Sequence, residues 1–479
     1  MISEFDPAVS DSSLYDICIV GTGPAGITLA LELANKGLKI LLLEAGGLDY
    51  SAESQDFYQC ESVGHEGWPQ LTRLRFFGGT SNHWSGRCRP FDSSDFDRAS
   101  INNLPGWPIR HSELNKYLSR SMEIVDLDEC QGFTAINNEI LGGHFYPDKS
   151  AQSPPTRFKD KYIESITNHK NIQCLYNATA VDLMLDKGHK KAQSISVNNY
   201  RGGQAQFKAT KFILALGGIE NPRFLLNCKS QIKEGIGNTH DMVGRCFMEH
   251  LNVPLGTFIY RDPDVFSQMQ FYTDSQFSNK YDIGQSNITL SIVKAVKSYG
   301  RTREIKNFFK NIACQMELSD KVSYISDFKC PGMGNISTLM EQSPNLNSRV
   351  MLSNDKDAMG LQRAKFDWQL NDYDRRTIMT IGQKFAKEFK KADLGIVRLE
   401  EFVIHDDKQT DSKFSRHAHH MGTTRMSKSP KYGVVDENSK VHDLENLYIA
   451  GSSVFPTGGA CNPTMPIIQL SLRMADHLA

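Results

Sequence analysis

The sequence predicts an α/β chain, α+β overall: a Rossmann-like nucleotide-binding domain interleaved with a second domain built on a mainly antiparallel sheet with helices. Three observations predict it. An apolar strand runs straight into a Gly-x-Gly-x-x-Gly turn at Gly21–Gly26. Apolar and polar residues alternate over 348–353 and 364–370, as in half-buried antiparallel strands. Glycine-rich blocks recur at the start, middle and end of the 479 residues, so segments that must approach a ligand are spread along the chain. The expected division is 12–95, 170–250 and 411–479 for the nucleotide domain, with 96–169 and 251–410 for the second.

Each element follows in turn. Tyr15–Val20 (YDICIV) has no polar interruption after Asp16, as in a buried parallel strand. Residues 27–36 continue as a helix, which Gly37 stops. A second apolar strand, 38–43, ends at Glu44, which follows Gly26 by 18 residues. In this motif Gly21 permits the tight turn, Gly23 lets backbone approach a pyrophosphate, and Gly26 allows helix and strand to pack closely. The helix N-terminus offers free N–H groups and the positive end of a dipole to phosphates. A carboxylate at Glu44 suits a free ribose 2′-hydroxyl, hence FAD or NAD rather than NADP.

Further along, Asn171–Tyr176 and 178–181 read as strands, followed by Phe207–Leu216. The last closes on Gly217-Gly218, and Pro222 suits the first turn of a helix reaching Asn227. Glu249 and His250 carry ionisable groups side by side, for which structural roles are expected. Asp372–Lys391 is an amphipathic helix with Ile378, Ile381, Phe385 and Phe389 spaced by three or four. The aromatic-rich stretch 266–281 is either a pocket wall or plain strand and turn, and the basic stretch 301–310 a solvated helix face. Leu447–Ala450 is a buried strand and Pro466–Ala479 an apolar closing helix.

Composition narrows the function. Lys plus Arg is 54 and Asp plus Glu 55, so no overall field favours nucleic acid or an anionic membrane. No uninterrupted apolar run approaches the roughly 20 residues of a membrane helix. The first residues lack the basic start and apolar core of a secretory signal. The ten cysteines form no Cys-x-x-Cys pair, which fits reduced thiols better than a disulfide frame and makes the cytoplasm the expected address.

The block FFGGTSNHWSGRCR at 76–89 places two glycines and small hydroxyl residues where a loop can lie flat against a planar ligand. With the fingerprint before it, this block resembles the glucose–methanol–choline (GMC) flavin oxidoreductases, and its motifs are most similar to the pyranose oxidase-like branch. The phrases LALGGIENPRFLL (214–226), RHAHHMGTTRM (416–426) and LENLYIAGSSVFPTGGACNPTMPIIQL (444–470) extend the resemblance over most of the chain. It implies an FAD-dependent enzyme acting on CH–OH groups. It implies FAD contacts at Gly21, Gly23, Gly26, Glu44, Gly78, Gly79, Thr80, Asn82, His83, Trp84, Val181, Gly217, Gly451, Ser452, Pro463 and Thr464. In some branches a histidine at the place of His83 is bonded to the flavin, so His83 is either a covalent attachment point or a packing neighbour of the ring.

Histidines 417, 419 and 420 could suggest zinc or copper, but no carboxylate of metal-site spacing accompanies them, and no metal is expected. The resemblance assigns His419 as catalytic base, three residues before Gly422, with His420 as the neighbouring alternative. Asn462 then orients the substrate oxygen, since an amide donates a hydrogen bond but takes no proton. Ser452 departs from the family, where many members carry Asp. The implied reaction is oxidation of a small-molecule alcohol to a carbonyl, by proton removal at His419 and hydride transfer to flavin N5. A sugar, cyclitol or glycoside hydroxyl is the first expectation for substrate, and a sterol or aliphatic alcohol the second. A non-redox lyase or decarboxylase of the same fold is the other reading. The electron acceptor is O2 or an unidentified carrier.

Overall fold

A computed structural model describes the chain except residues 10–13, 65–68, 99, 129–140, 149, 261–268, 293–332 and 406–413. The basic stretch 301–310 and the start of the aromatic-rich stretch lie outside the described residues. The rest of that aromatic stretch forms a strand, Met269–Thr273, and a short helix, Ser275–Tyr281.

The N-terminal unit is strand β1 (Leu14–Val20), helix α1 (Pro24–Asn35) and strand β2 (Ile40–Leu43). Pro24 opens α1, where its missing N–H costs nothing, and Gly37 at φ +91° ends it, donating to the Ala34 carbonyl at 3.0 Å. β1 and β2 pair in parallel, with Ile17 opposite Ile40. Strand β3 (Ile172–Tyr176) adds to β2 in parallel, and the long strand β4 (Gln204–Leu214) adds to the other side of β1. β4 also receives a C-terminal strand, Leu447–Ile449, in parallel, so the two ends of the chain meet in one eight-stranded sheet.

Strict alternation along β1 and β2 sends side chains to two cores. Ile17, Ile19, Ile40 and Leu42 pack with α1 and the C-terminal helix, while Cys18, Val20, Leu41 and Leu43 pack on the opposite face. Each fully buried Ile or Leu is worth about 1.5–3 kcal/mol of transfer free energy, so slipping either strand by one residue would be prohibitive.

Helix α2 (Gly217–Asn227) begins five residues before the expected start, with Pro222 inside it rather than in its first turn. A proline there leaves the Gly218 carbonyl without its helical donor. The hydroxyl of Thr423 supplies one at 2.5 Å, so the helix survives and is tied to the histidine-rich segment.

A second, seven-stranded sheet is antiparallel throughout. Its longest strand, β5 (His250–Tyr260), pairs with β6 (Met333–Glu341). Helix α3 (Asp372–Lys391) lays Ile378, Ile381, Phe385 and Phe389 on this sheet, and Asn371 caps its first turn. A small third sheet pairs Cys60–Gly64 in parallel with Gln362–Trp368 and so binds the N-terminal region to this half. The fold is α/β, with a Rossmann-like sheet beside an antiparallel one.

Candidate active site

Strand, turn and helix build one end of a cavity of about 430 Å³. Gly21, at φ +107°, ends β1, and a Cβ on it would lie 2.5 Å from the Ala215 carbonyl oxygen. A Cβ on Gly26 would lie 1.9 Å from the Gly21 oxygen, so only glycine lets α1 back onto the turn. Gly23 is different: a Cβ there meets nothing within 4 Å and points into the cavity. The first turn of α1 therefore opens on the cavity with its dipole end forward. Glu44 is buried at the floor, taking hydrogen bonds from the Thr22 hydroxyl at 2.5 Å and the Gly46 N–H at 2.8 Å.

The Gly78-Gly79 loop folds over this turn, both residues in the left-handed region, and a Cβ on Gly79 would stand 3.2 Å from Gly23 Cα. Thr80, His83 and Trp84 line the cavity, and Trp84 is anchored by its indole N–H on the Thr156 carbonyl at 2.9 Å. Asn82 does not line it, because its amide donates to the Phe77 carbonyl at 2.9 Å and holds the loop. Gly26 and Gly78 likewise shape the walls without facing the space, and Val181 is outside it. Its strand neighbours Thr179 and Ala180 line an adjoining small pocket, where Arg75 donates to the Thr179 hydroxyl at 2.9 Å. His83 is held below its ordinary pKa by burial and by the Arg157 charge.

The opposite end is made by Gly217, Gly451, Ser452, Asn462, Pro463, Thr464 and the histidine segment. Gly217 and Gly451 have positive φ, and a Cβ on either would meet nothing within 4 Å. Helix α4 (Thr464–Leu478) starts directly behind Asn462 and Pro463, presenting a second helix N-terminus to the cavity. Ser452 uses its hydroxyl locally, donating to the His420 carbonyl at 2.6 Å.

The histidines are ordered by a short antiparallel contact. Met248 and Met421 exchange both backbone hydrogen bonds at 3.0 Å, a register that sets His250 opposite His419. Beyond it the register shifts, since Leu251 pairs with Arg416, and Ala418 sits in the left-handed region at φ +61°. A non-glycine residue there stores about 1–2 kcal/mol, which the surrounding pairing supports. The two rings meet edge to face with Nδ1 to Nδ1 at 2.7 Å. His250 Nε2 is 2.8 Å from the Gly459 carbonyl oxygen, and the His419 N–H donates to Glu249.

His419 Nε2 points the other way, 3.5 Å from the Asn462 amide nitrogen. Burial, with the neighbouring His250, His417 and His420, pushes His419 well below the ordinary imidazole range, and burial also lowers His250. His420 lines the cavity too, but its Nε2 is 3.2 Å from the Thr72 hydroxyl and 3.6 Å from Glu249. His417 stacks on His419. Among the described residues no group of three or more His, Cys, Asp or Glu could hold a metal ion.

His250 and Glu249, expected to be structural, thus touch the candidate base directly. No local spacing marks them, because strand pairing brings them there. Thr22, Thr72 and Ile467 also line the cavity unforeseen. Of these, Ile467 was readable as the residue one turn beyond Thr464.

Residues 344–471 match the family model described as GMC oxidoreductase. That span holds the histidine segment, Gly451 and Asn462. The C-terminal part of the chain is that of a GMC oxidoreductase. Relatives cover it nearly end to end. The 6'''-hydroxyparomomycin C oxidase of Streptomyces lividus is 24% identical over 99% of this chain and 93% of its own. The 2-methyl-1,2-propanediol dehydrogenase of Mycolicibacterium austroafricanum is 22% identical, covering 97% and 95%. In fold, the crystal structure of pyridoxine 4-oxidase from Mesorbium loti superposes with a TM-score of 0.61 at 17% identity, covering 97% of this chain and 99% of that one.

This GMC oxidoreductase is an FAD-dependent enzyme acting on CH–OH groups. Its cavity fits the cofactor on its own evidence of shape: three glycines whose missing side chains would all project into the space, and two helix N-termini aimed at it. Among the described residues no helix is long and apolar enough to cross a membrane.

Proposed function

We propose that this enzyme oxidises a sugar, cyclitol or glycoside hydroxyl to a carbonyl, with His419 as base and Asn462 as the group that orients the oxygen. The observation that carries the reading is the facing pair itself: His419 Nε2 and Asn462 Nδ2 lie 3.5 Å apart in the glycine-lined cavity. At that separation they bond each other weakly, and one hydroxyl oxygen can reach both. Bound FAD supplies the hydride acceptor. His419, neutral through burial, accepts the hydroxyl proton at Nε2. Asn462 donates from its amide to the same oxygen and holds the carbinol carbon in line.

The two relatives bracket the substrate. One is named for the oxidation of an aminoglycoside hydroxyl, the other for a small diol, so an aliphatic alcohol is the second choice on the same chemistry. The near-neutral chain charge suits an uncharged substrate. Replacing His419 by Ala should leave FAD bound and abolish anaerobic bleaching by a panel of sugars, polyols and sterols. Bleaching at the wild-type rate would reject the base assignment. Admitting air afterwards tells O2 from a separate carrier as the acceptor.

His83 is a candidate covalent anchor for the flavin, supported by its place on the cavity wall and the neutral ring that burial and Arg157 favour. After trichloroacetic acid precipitation the yellow colour stays with the pellet on this reading, and a yellow supernatant sinks it. Cys18, Cys88, Cys174, Cys228, Cys246 and Cys461 are free thiols, which supports a reducing, cytoplasmic place of work.

A further inference from the structure

We propose that His250 is a positioning residue that dictates which nitrogen of His419 carries the proton, leaving Nε2 bare toward the cavity. This rests on the reading of His419 as the base and adds a residue to it.

The deduction starts at a carbonyl. The Gly459 oxygen can only accept, so His250 Nε2, 2.8 Å away, must carry a hydrogen. A neutral imidazole has one N–H, so His250 Nδ1 is left with a lone pair. That lone pair faces His419 Nδ1 at 2.7 Å, and the hydrogen between them must come from His419. His419, neutral in turn, has its only N–H at Nδ1. Nε2, on the side of Asn462, is therefore the basic atom. An unconstrained imidazole prefers the opposite tautomer, with the hydrogen on Nε2, which cannot take a proton from the substrate.

Two further features hold the chain of bonds in place. Gly459 has φ +55°, and a Cβ there would stand 2.9 Å from Asp95. Its own N–H donates to Glu341 at 3.0 Å, and Glu341 is held by Arg98 at 2.7 Å. The carbonyl that orders His250 is thus clamped from behind. The Met248–Met421 pairing fixes the other axis by keeping His250 opposite His419. The alternative state, a doubly protonated His250, would reverse the tautomer of His419. Full burial of His250 opposes that cation.

The test compares His250→Leu, which deletes the acceptor, with His250→Asn, which keeps a carbonyl oxygen near the former Nδ1. In FAD-loaded enzyme the Leu variant should lose about 10- to 100-fold in the limiting rate of flavin reduction, within the range a misdirected base costs, with KM inside about twofold. The Asn variant should recover most of that loss. Independently, ¹⁵N spectra of histidine-labelled wild type, assigned by the signal missing in His419→Ala, should show Nδ1 protonated and Nε2 bare. A wild-type spectrum with Nε2 protonated overturns the proposal, and it decides the matter even where the Leu variant does not fold. Equal losses in the Leu and Asn variants, or none in Leu, overturn it as well. The base reading fails separately, through an active His419→Ala. An inactive His419→Ala beside an unimpaired His250→Leu removes the relay alone.

Discussion

At the nucleotide end of the cavity, Gly21, Gly23, Gly26 and Glu44 belong to one strand–helix–strand unit. At the histidine end, His250 comes from the longest strand of the antiparallel sheet, His419 from a segment paired beside it, and Asn462 from the approach to the last helix. The first end is assembled by local geometry and is fixed once β1, α1 and β2 form. The second depends on three segments arriving together, with a two-bond contact at Met248 and Met421 as the register pin. A locally built site is specified by what side chains are absent, whereas an assembled one is specified by which hydrogen bonds are present.

The sharpest way to break this comparison is at the glycines, which are not equivalent. Gly26→Val forces a side chain against the Gly21 carbonyl, where even a Cβ would stand at 1.9 Å. It should destabilise the protein by about 3 kcal/mol or more and strip it of FAD, read as a lower thermal midpoint and a colourless preparation. Gly23→Ala points into open space instead. It should keep the apoprotein's melting point and lose only flavin affinity, seen by fluorescence titration. Equal loss of stability at both positions would mean that the fingerprint is a folding element with no cofactor face.

How legible each end was in the sequence follows from the same contrast. The β1–α1–β2 unit and its terminal acid could be read to within a few residues, because strand period, turn glycines and helix stop signals are all local. Helix α3 was readable at both ends, since its apolar residues keep one face along its whole length. His419 and Asn462 were readable only through family resemblance. His250 was not, because nothing within several residues of it reports that residues 416–421 will pair alongside. Pro222 misled for a related reason: local rules place it in a first turn, and the hydroxyl that rescues its interior position comes from Thr423, across the fold.

A second way to sharpen the comparison is pH. An exposed base with the ordinary imidazole pKa of about 6.5 would lose activity tenfold per unit below that value. His419 is held well below it, so it stays unprotonated on the acid side. The acid limb of kcat/KM for flavin reduction should therefore lie below pH 6.5, leaving the rate at pH 5.5 about tenfold above that of an unperturbed base, equivalent to about 1.4 kcal/mol. Stability moves the other way. Below pH 6.5 the unfolded chain protonates these histidines while the folded one keeps His250 and His419 neutral, so the unfolded state binds more protons and stability drops as the solution is acidified through that window. An acid limb at 6.5 or above would place His419 in contact with water.

The smallest effect tests the stitch between the two ends. Thr423 donates to the Gly218 carbonyl that Pro222 leaves unpaired, and a Cβ on Gly218 would lie 2.4 Å from the His420 oxygen, so α2 and the histidine segment touch there. Thr423→Val keeps the shape and removes the donor. A buried carbonyl without a partner costs about 1 kcal/mol, and the thermal midpoint should fall by a few degrees. Because the His250–His419 register is pinned elsewhere, at Met248 and Met421, the limiting rate should change less than twofold. A large loss of rate with little loss of stability would show that the proline-bearing helix, and not the strand contact, sets the position of the base. The same double substitution with Pro222→Ala separates the two. Alanine restores the helical N–H, so Thr423→Val in that background should cost almost nothing, as it must if the hydroxyl's role is to replace the donor that proline lacks.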